Sequence, residues 1–138
     1  MTKISRFVYL AASSLFLLGV TIQVFLAGMV VVALRGGWAD HRDLGHTLGL
    51  PLLVMLVTVY LGRFPRNMKW MSWLLMVVYF IQADVIIFMR DSIPFGSAFH
   101  PVLALVDFGL AAFLVYQAWI VIRAARGERI APAEFVKA

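Results

Sequence analysis

Four apolar runs, covering residues 7–34, 41–61, 70–90 and 98–123, constrain this chain more than any other feature. Each reaches the ~20 residues that a helix needs to cross ~30 Å of hydrocarbon. Together they occupy nearly all of the 138 residues, of which 63% are hydrophobic and 14% charged. A soluble domain of this size has no interior large enough to hide that surface. The expectation is therefore an all-α fold: a transmembrane up-down-up-down four-helix bundle, 1–138, in which short loops make chain neighbours antiparallel. A cleaved leader is not expected at the N-terminus, because the apolar run after Lys3 and Arg6 is about twice the ~7–15 residues of a secretory signal.

The basic residues orient the bundle. Lys3 and Arg6 precede the first run, Arg63, Arg66 and Lys69 separate the second from the third, and Arg123, Arg126, Arg129 and Lys137 follow the fourth. These are nine of the twelve Lys and Arg residues, which leaves Arg35, Arg42 and Arg90 for the opposite side. Positive flanks are retained in the cytoplasm, so both termini are expected there, in a bacterial cytoplasmic membrane. The net charge of +5 needs no nucleic-acid partner, since it is spent on topology beside an anionic leaflet. Trp70, Trp73, Trp119, Tyr9 and Tyr60 are expected in the inner interfacial belt and Trp38 in the outer one. The absence of cysteine excludes disulfides, iron–sulfur clusters and thiolate ligands.

Local signals punctuate the runs. Gly36-Gly37 ends the first helix, and Asp40 with Asp43 marks the start of the second. Pro51 predicts a kink within the second helix, because it has no N–H for the Thr47 carbonyl. Pro94 and Gly96 predict an irregular outer loop after Arg90-Asp91, with Ser97 as cap of the fourth helix and Pro101 tolerated in its first turn. The tail from Gly127, with Pro132, is expected to fray. No internal repeat stands out beyond a short pattern shared by the second and fourth helices, a histidine followed four positions on by a small residue.

Polar side chains inside lipid-spanning segments are costly and default to functional roles. Here they are Gln23, His41, His46, Gln82, Asp84, His100 and Asp107. Helix direction converts residue number to depth, and all of them except Asp107 fall in the outer half of the bilayer. The second and fourth helices start on that side and are diagonal neighbours, so His41 and His100 are placed to face each other across the core. Two neutral imidazoles so placed suit the two axial positions of a haem iron. Gly45 and Gly49 follow His41 on its face, and Ala104 follows His100, leaving room for a flat ring. His46 lies ~140° around the helix from His41 and is the alternative ligand. Gln23, Gln82 and Asp84 would orient the ligands, and Arg42 would hold a propionate. Asp107 has three open roles: a neutral carboxyl, a partner for a quinone head group, or a station on a proton path.

The string His41-Arg42-Asp43-Leu44-Gly45-His46, with Gln23-Val24-Phe25-Leu26-Ala27-Gly28 and His100-Pro101, resembles a family of small four-helix bacterial membrane proteins without an assigned activity. In layout the chain is also similar to four-helix membrane b-type cytochromes, which implies haem between helices and electron exchange with quinones. The expected function is a b-type haem protein with one bis-histidine haem near the outer leaflet, a redox protein of the membrane. Two alternatives remain at this level. One is a non-catalytic accessory subunit of a homo-oligomer or larger membrane complex. The other is a metal site at the outer surface built from Asp40, His41, Asp43 and His46.

Overall fold

The computed structural model describes residues 1–89 and 92–127, and the described residues are helical, with no strand among them. Helix α1 spans Thr2–Val31, α2 Trp38–Thr47, α3 Gly49–Leu61 and α4 Arg66–Phe80. A π-helical turn, Ile81–Val85, continues α4 into the short α5, Ile86–Met89. A single turn, α6 (Pro94–Ser97), precedes α7 (His100–Ala124). Three segments, Thr2–Val31, Trp38–Leu61 and Phe95–Ala124, are long and apolar enough to cross a membrane.

Burial separates two kinds of apolar residue. Tyr9, Phe16, Leu52, Met55, Leu75 and Leu114 form the centre and are essentially inaccessible. Around them, Leu15, Phe25, Val57, Trp70, Phe80 and Leu105 point outward and are exposed. In the most apolar window of α1 only 17% of residues are buried, an outside-apolar arrangement that water would penalise and lipid would not. Small residues line the seams. α1 buries Ala12, Ser13 and Gly19 where α3 and α7 pack on it, and α7 buries Ala111 and Ala118. Lipid tails supply no hydrophobic drive between helices, so this close van der Waals approach is what holds them. At Gly19 an added Cβ would run into the Leu48 side chain.

Polar contacts tie the same seams. Tyr9 Oη and Ser72 Oγ lie 2.7 Å apart in the core, and Ser72 Oγ also donates to the Met68 carbonyl at 2.8 Å. The tyrosine hydroxyl is therefore the donor of the pair. At one end of the structure Arg6 Nε donates to the Gly62 carbonyl at 2.8 Å, Lys69 stands over the Tyr60 ring, and Trp73 Nε1 donates to Tyr60 Oη. Tyr9 thus belongs to the core and not to an interfacial belt: its ring packs on Phe64 at 4.6 Å and its hydroxyl is used internally.

Several boundaries differ from those the sequence leads one to expect. The first helix ends at Val31, and Arg35 N–H reaches back to the Met29 carbonyl before Gly36 turns the chain at φ +77°. The second starts at Trp38 with Gly37 as its N-cap, so Asp40 lies within the first turn, where its charge still meets the positive helix end. The break expected from Pro51 falls at Leu48, between α2 and α3. The third begins at Arg66, directly after Pro65. Pro94 and Gly96 lie in a helical turn, α6, and Phe99 rather than Ser97 is the N-cap of α7. Pro101 occupies the first turn of α7 as expected. The expectations for Arg90, Asp91, Arg129, Pro132 and Lys137 lie outside the described residues.

Candidate functional site: a paired-histidine centre

α1 and α2 meet at a turn, and one side chain bridges them: His41 Nδ1 is 3.1 Å from the backbone carbonyl of Gln23. α7 repeats the arrangement against the π turn, with His100 Nδ1 3.0 Å from the carbonyl of Gln82. In both cases the partner lies 18 residues earlier in the chain. A carbonyl can only accept, so each Nδ1 is the donor, and in a neutral ring that arrangement leaves the lone pair on Nε2. Both rings are half-buried, and they oppose each other with centroids 6.0 Å apart and planes inclined at 66°. The Trp38 ring also meets His41 edge-on, with centroids 5.5 Å apart.

The two carbonyls are made available in different ways. Gln23 lies inside unbroken α1, and its oxygen takes the His41 proton as a further bond on a second lone pair. At Gln82 the helix itself changes. Ile86 N–H bonds the Ile81 carbonyl, whereas an α-helix would have directed it to Gln82. The π turn thus releases the Gln82 oxygen from Ile86 and leaves it to His100.

Three buried side-chain oxygens, Gln23 Oε1, Gln82 Oε1 and Asp107 Oδ1, go without a donor. Such orphan acceptors are expensive in a low-dielectric interior. Gln82 Nε2 donates to Asp107 Oδ2 at 2.5 Å, with Asp107 wholly inaccessible.

The remaining expected residues divide clearly. Gly45 and Gly49 stand on the inward face of this region, but neighbours occupy their space: a Cβ on Gly45 would lie 2.8 Å from Gln23 Nε2, and one on Gly49 3.4 Å from Tyr79 Oη. Ala104 is half-buried one turn below His100, and Asp84 is half-buried on the π turn. His46 is exposed and its Nδ1 bonds the Arg42 carbonyl of its own helix at 2.9 Å, so it faces away from the pair. Arg42 is exposed and pairs with Asp43 at 3.3 Å. The surface cluster of Asp40, His41, Asp43 and His46 does not form: among the described residues no three His, Cys, Asp or Glu groups converge as metal ligands. The reason is helical geometry, which turns His41 inward and the other three outward.

Tyr79 is a residue of this region that sequence reasoning missed. Its hydroxyl donates to the Gly45 carbonyl at 2.6 Å, pinning α2 to α4, and its ring packs edge-on against Phe16. One tyrosine among the many aromatics of an apolar helix carries no signal of such a role.

The model of a family of unknown function, DUF6220, matches residues 23–86 of this chain. The similar stretch begins at Gln23 and takes in His41, Gln82 and Asp84. No curated protein and no solved structure matches.

Proposed function

We propose that the chain is a membrane-embedded b-type haem protein of the bacterial cytoplasmic membrane, with His41 and His100 as the axial ligands of a single iron, serving electron transfer. One observation carries the reading: two imidazoles from separate helices, each donating Nδ1–H to a backbone carbonyl, stand with their ring centroids 6.0 Å apart. With a metal–imidazole bond of about 2.0 Å and ~1.1 Å from nitrogen to ring centroid, two rings in line on one metal would have centroids about 6.2 Å apart. The 6.0 Å found is close to that. An Nδ1–H donated to a carbonyl is also the usual outer support of a metal-bound histidine, fixing the ring and raising its basicity.

Haem held by His41 and His100 would supply one-electron chemistry that no side chain of this cysteine-free protein offers. Seating its ring would require the Gln23 and Tyr79 side chains, which fill the space beside Gly45 and Gly49, to move. The protein's part is to fix the two rings through Gln23 and Gln82 and to set the Trp38 ring against His41. A quinone pool is the exchange partner this reading proposes, by analogy of layout with four-helix membrane b-type cytochromes.

The same reading includes an up-down-up-down bundle with both termini cytoplasmic. Its support is the joining of Arg6 to Gly62 at the end that carries Arg63, Arg66 and Lys69, far along the helices from the histidine pair. An absorption spectrum of the detergent-purified protein from haem-replete cells tests the cofactor. A Soret band that sharpens and shifts on dithionite reduction is expected, lost or turned high-spin in His41→Ala and in His100→Ala and unchanged in His46→Ala. A colourless protein refutes the proposal.

A further inference from the structure

The shift that carries His41 onto His100 also carries Gln23 onto Gln82, and it does more. It superposes many of the buried positions of the first hairpin on buried positions of the second. Ser13 falls on Ser72 and Phe16 on Leu75 in α1 and α4; Leu52 falls on Ala111 and Met55 on Leu114 in α3 and α7, and every one of these eight is buried. Even the dipeptide Ile22-Gln23 recurs as Ile81-Gln82. Lipid-facing positions follow no such rule, which is why the repeat is hard to see in the bare sequence: lipid selects only for apolarity, whereas seams and ligands select for particular residues.

Several positions depart from the correspondence, among them Leu56, which falls on half-buried Val115, and Thr58, which falls on half-buried Gln117; one departure bears on the histidines. Leu48, packed into the notch left by Gly19, falls on Asp107, and Gly19 falls on Val78. The first hairpin thus fills its seam with a leucine against a glycine. The second has a bulkier valine and a shorter carboxylate, and that carboxylate takes the Gln82 side-chain amide. The π turn is likewise confined to the second hairpin: α1 carries Gln23 in unbroken helix. Two departures from the repeat therefore meet at one residue, Gln82, whose backbone oxygen accepts the His100 proton.

We infer that the chain is a duplicated helix hairpin, each copy supplying one histidine of the pair, and that Asp107 is a positioning residue for His100 in the second copy, acting through Gln82. By gripping the Gln82 amide, Asp107 holds the π turn in the register that presents the Gln82 carbonyl to His100 Nδ1. The first copy needs no such brace, since an ordinary helix already places the Gln23 carbonyl. The role of Asp107 is to accept a hydrogen bond, and its charge is not required. The inference rests on the reading of His41 and His100 as a ligand pair, but its test does not need the cofactor.

The measurement is nitrogen-15 histidine NMR on the full-length protein in detergent without added haem, the three signals being assigned by His41→Ala, His46→Ala and His100→Ala. Asp107→Leu installs the residue of the first copy, and Gln82→Ala removes the gripped amide while keeping the backbone carbonyl. In both, the His100 Nδ1–H signal should shift toward the unbonded position and exchange with water roughly fivefold faster, as loss of one hydrogen bond implies, with His41 unmoved. Asp107→Asn keeps an acceptor for Gln82 and should leave the His100 signal where it is in the unaltered protein. An unmoved His100 signal in both Asp107→Leu and Gln82→Ala overturns the inference. So does a shift in Asp107→Asn as large as in Asp107→Leu, which would make charge the operative property. A colourless protein with these NMR shifts intact would remove the haem reading and leave Asp107 as the brace of His100.

Discussion

Removing either partner of the Tyr9–Ser72 pair should have unequal consequences. Tyr9 Oη donates to Ser72 Oγ, because the serine proton is already used on the Met68 carbonyl. Tyr9→Phe takes away a donor and leaves the serine with its other bond, so the loss should be near the ~0.6 kcal/mol typical of interhelical hydrogen bonds in a bilayer. Ser72→Ala leaves the tyrosine hydroxyl buried with nothing to receive its proton. An unsatisfied buried group costs about 1–3 kcal/mol, which corresponds to roughly five- to over a hundredfold in the folded fraction. The double variant Tyr9→Phe/Ser72→Ala removes hydroxyl and acceptor together and should be more stable than Ser72→Ala alone. Reversible unfolding in mixed micelles, followed by tryptophan fluorescence, gives the three free energies of the cycle. The reasoning is refuted if Tyr9→Phe is the costlier single change, or if adding it to Ser72→Ala lowers stability further.

Other seams and surfaces make separate demands. Gly19→Ala drives a methyl into Leu48 and should cost about 1–3 kcal/mol in the same assay, and clearly less when made on a Leu48→Ala background; an equal cost on both backgrounds would show that the α1 seam is not tight there. Tyr79→Phe unpins the Gly45 carbonyl and should lower stability by about 1 kcal/mol while leaving the spectral band in place, which micelle unfolding and absorbance check together. Because the chain has no cysteine of its own, single replacements report sidedness cleanly. An impermeant maleimide applied to intact spheroplasts should label Ala39→Cys and not Asn67→Cys, and the reverse pattern would invert the topology. Arg6→Ala removes the bond to the Gly62 carbonyl and should destabilise by less than about 1 kcal/mol, since this group lies at the wet end of the structure.

What the sequence determined by itself is what depends on one helix at a time. Apolar length, basic flanks and breakers are local, so the number of apolar runs, the helical class and the positions of Gly36 and Pro101 were all legible in it. So was the inward face of α2, because the ~100° step of a helix separates His41 from His46. The tertiary structure decided what depends on two helices meeting. That the Gln23 amide fills the space beside Gly45, that Tyr9 serves the core, that Tyr79 pins α2 and that Gln82 grips Asp107 are consequences of seams, and nothing in an apolar run announces which of its faces a neighbour will cover. The π turn at Ile81–Val85 belongs to the same class. Its one altered hydrogen bond comes together with a carboxylate from a distant helix and a histidine that takes the freed carbonyl.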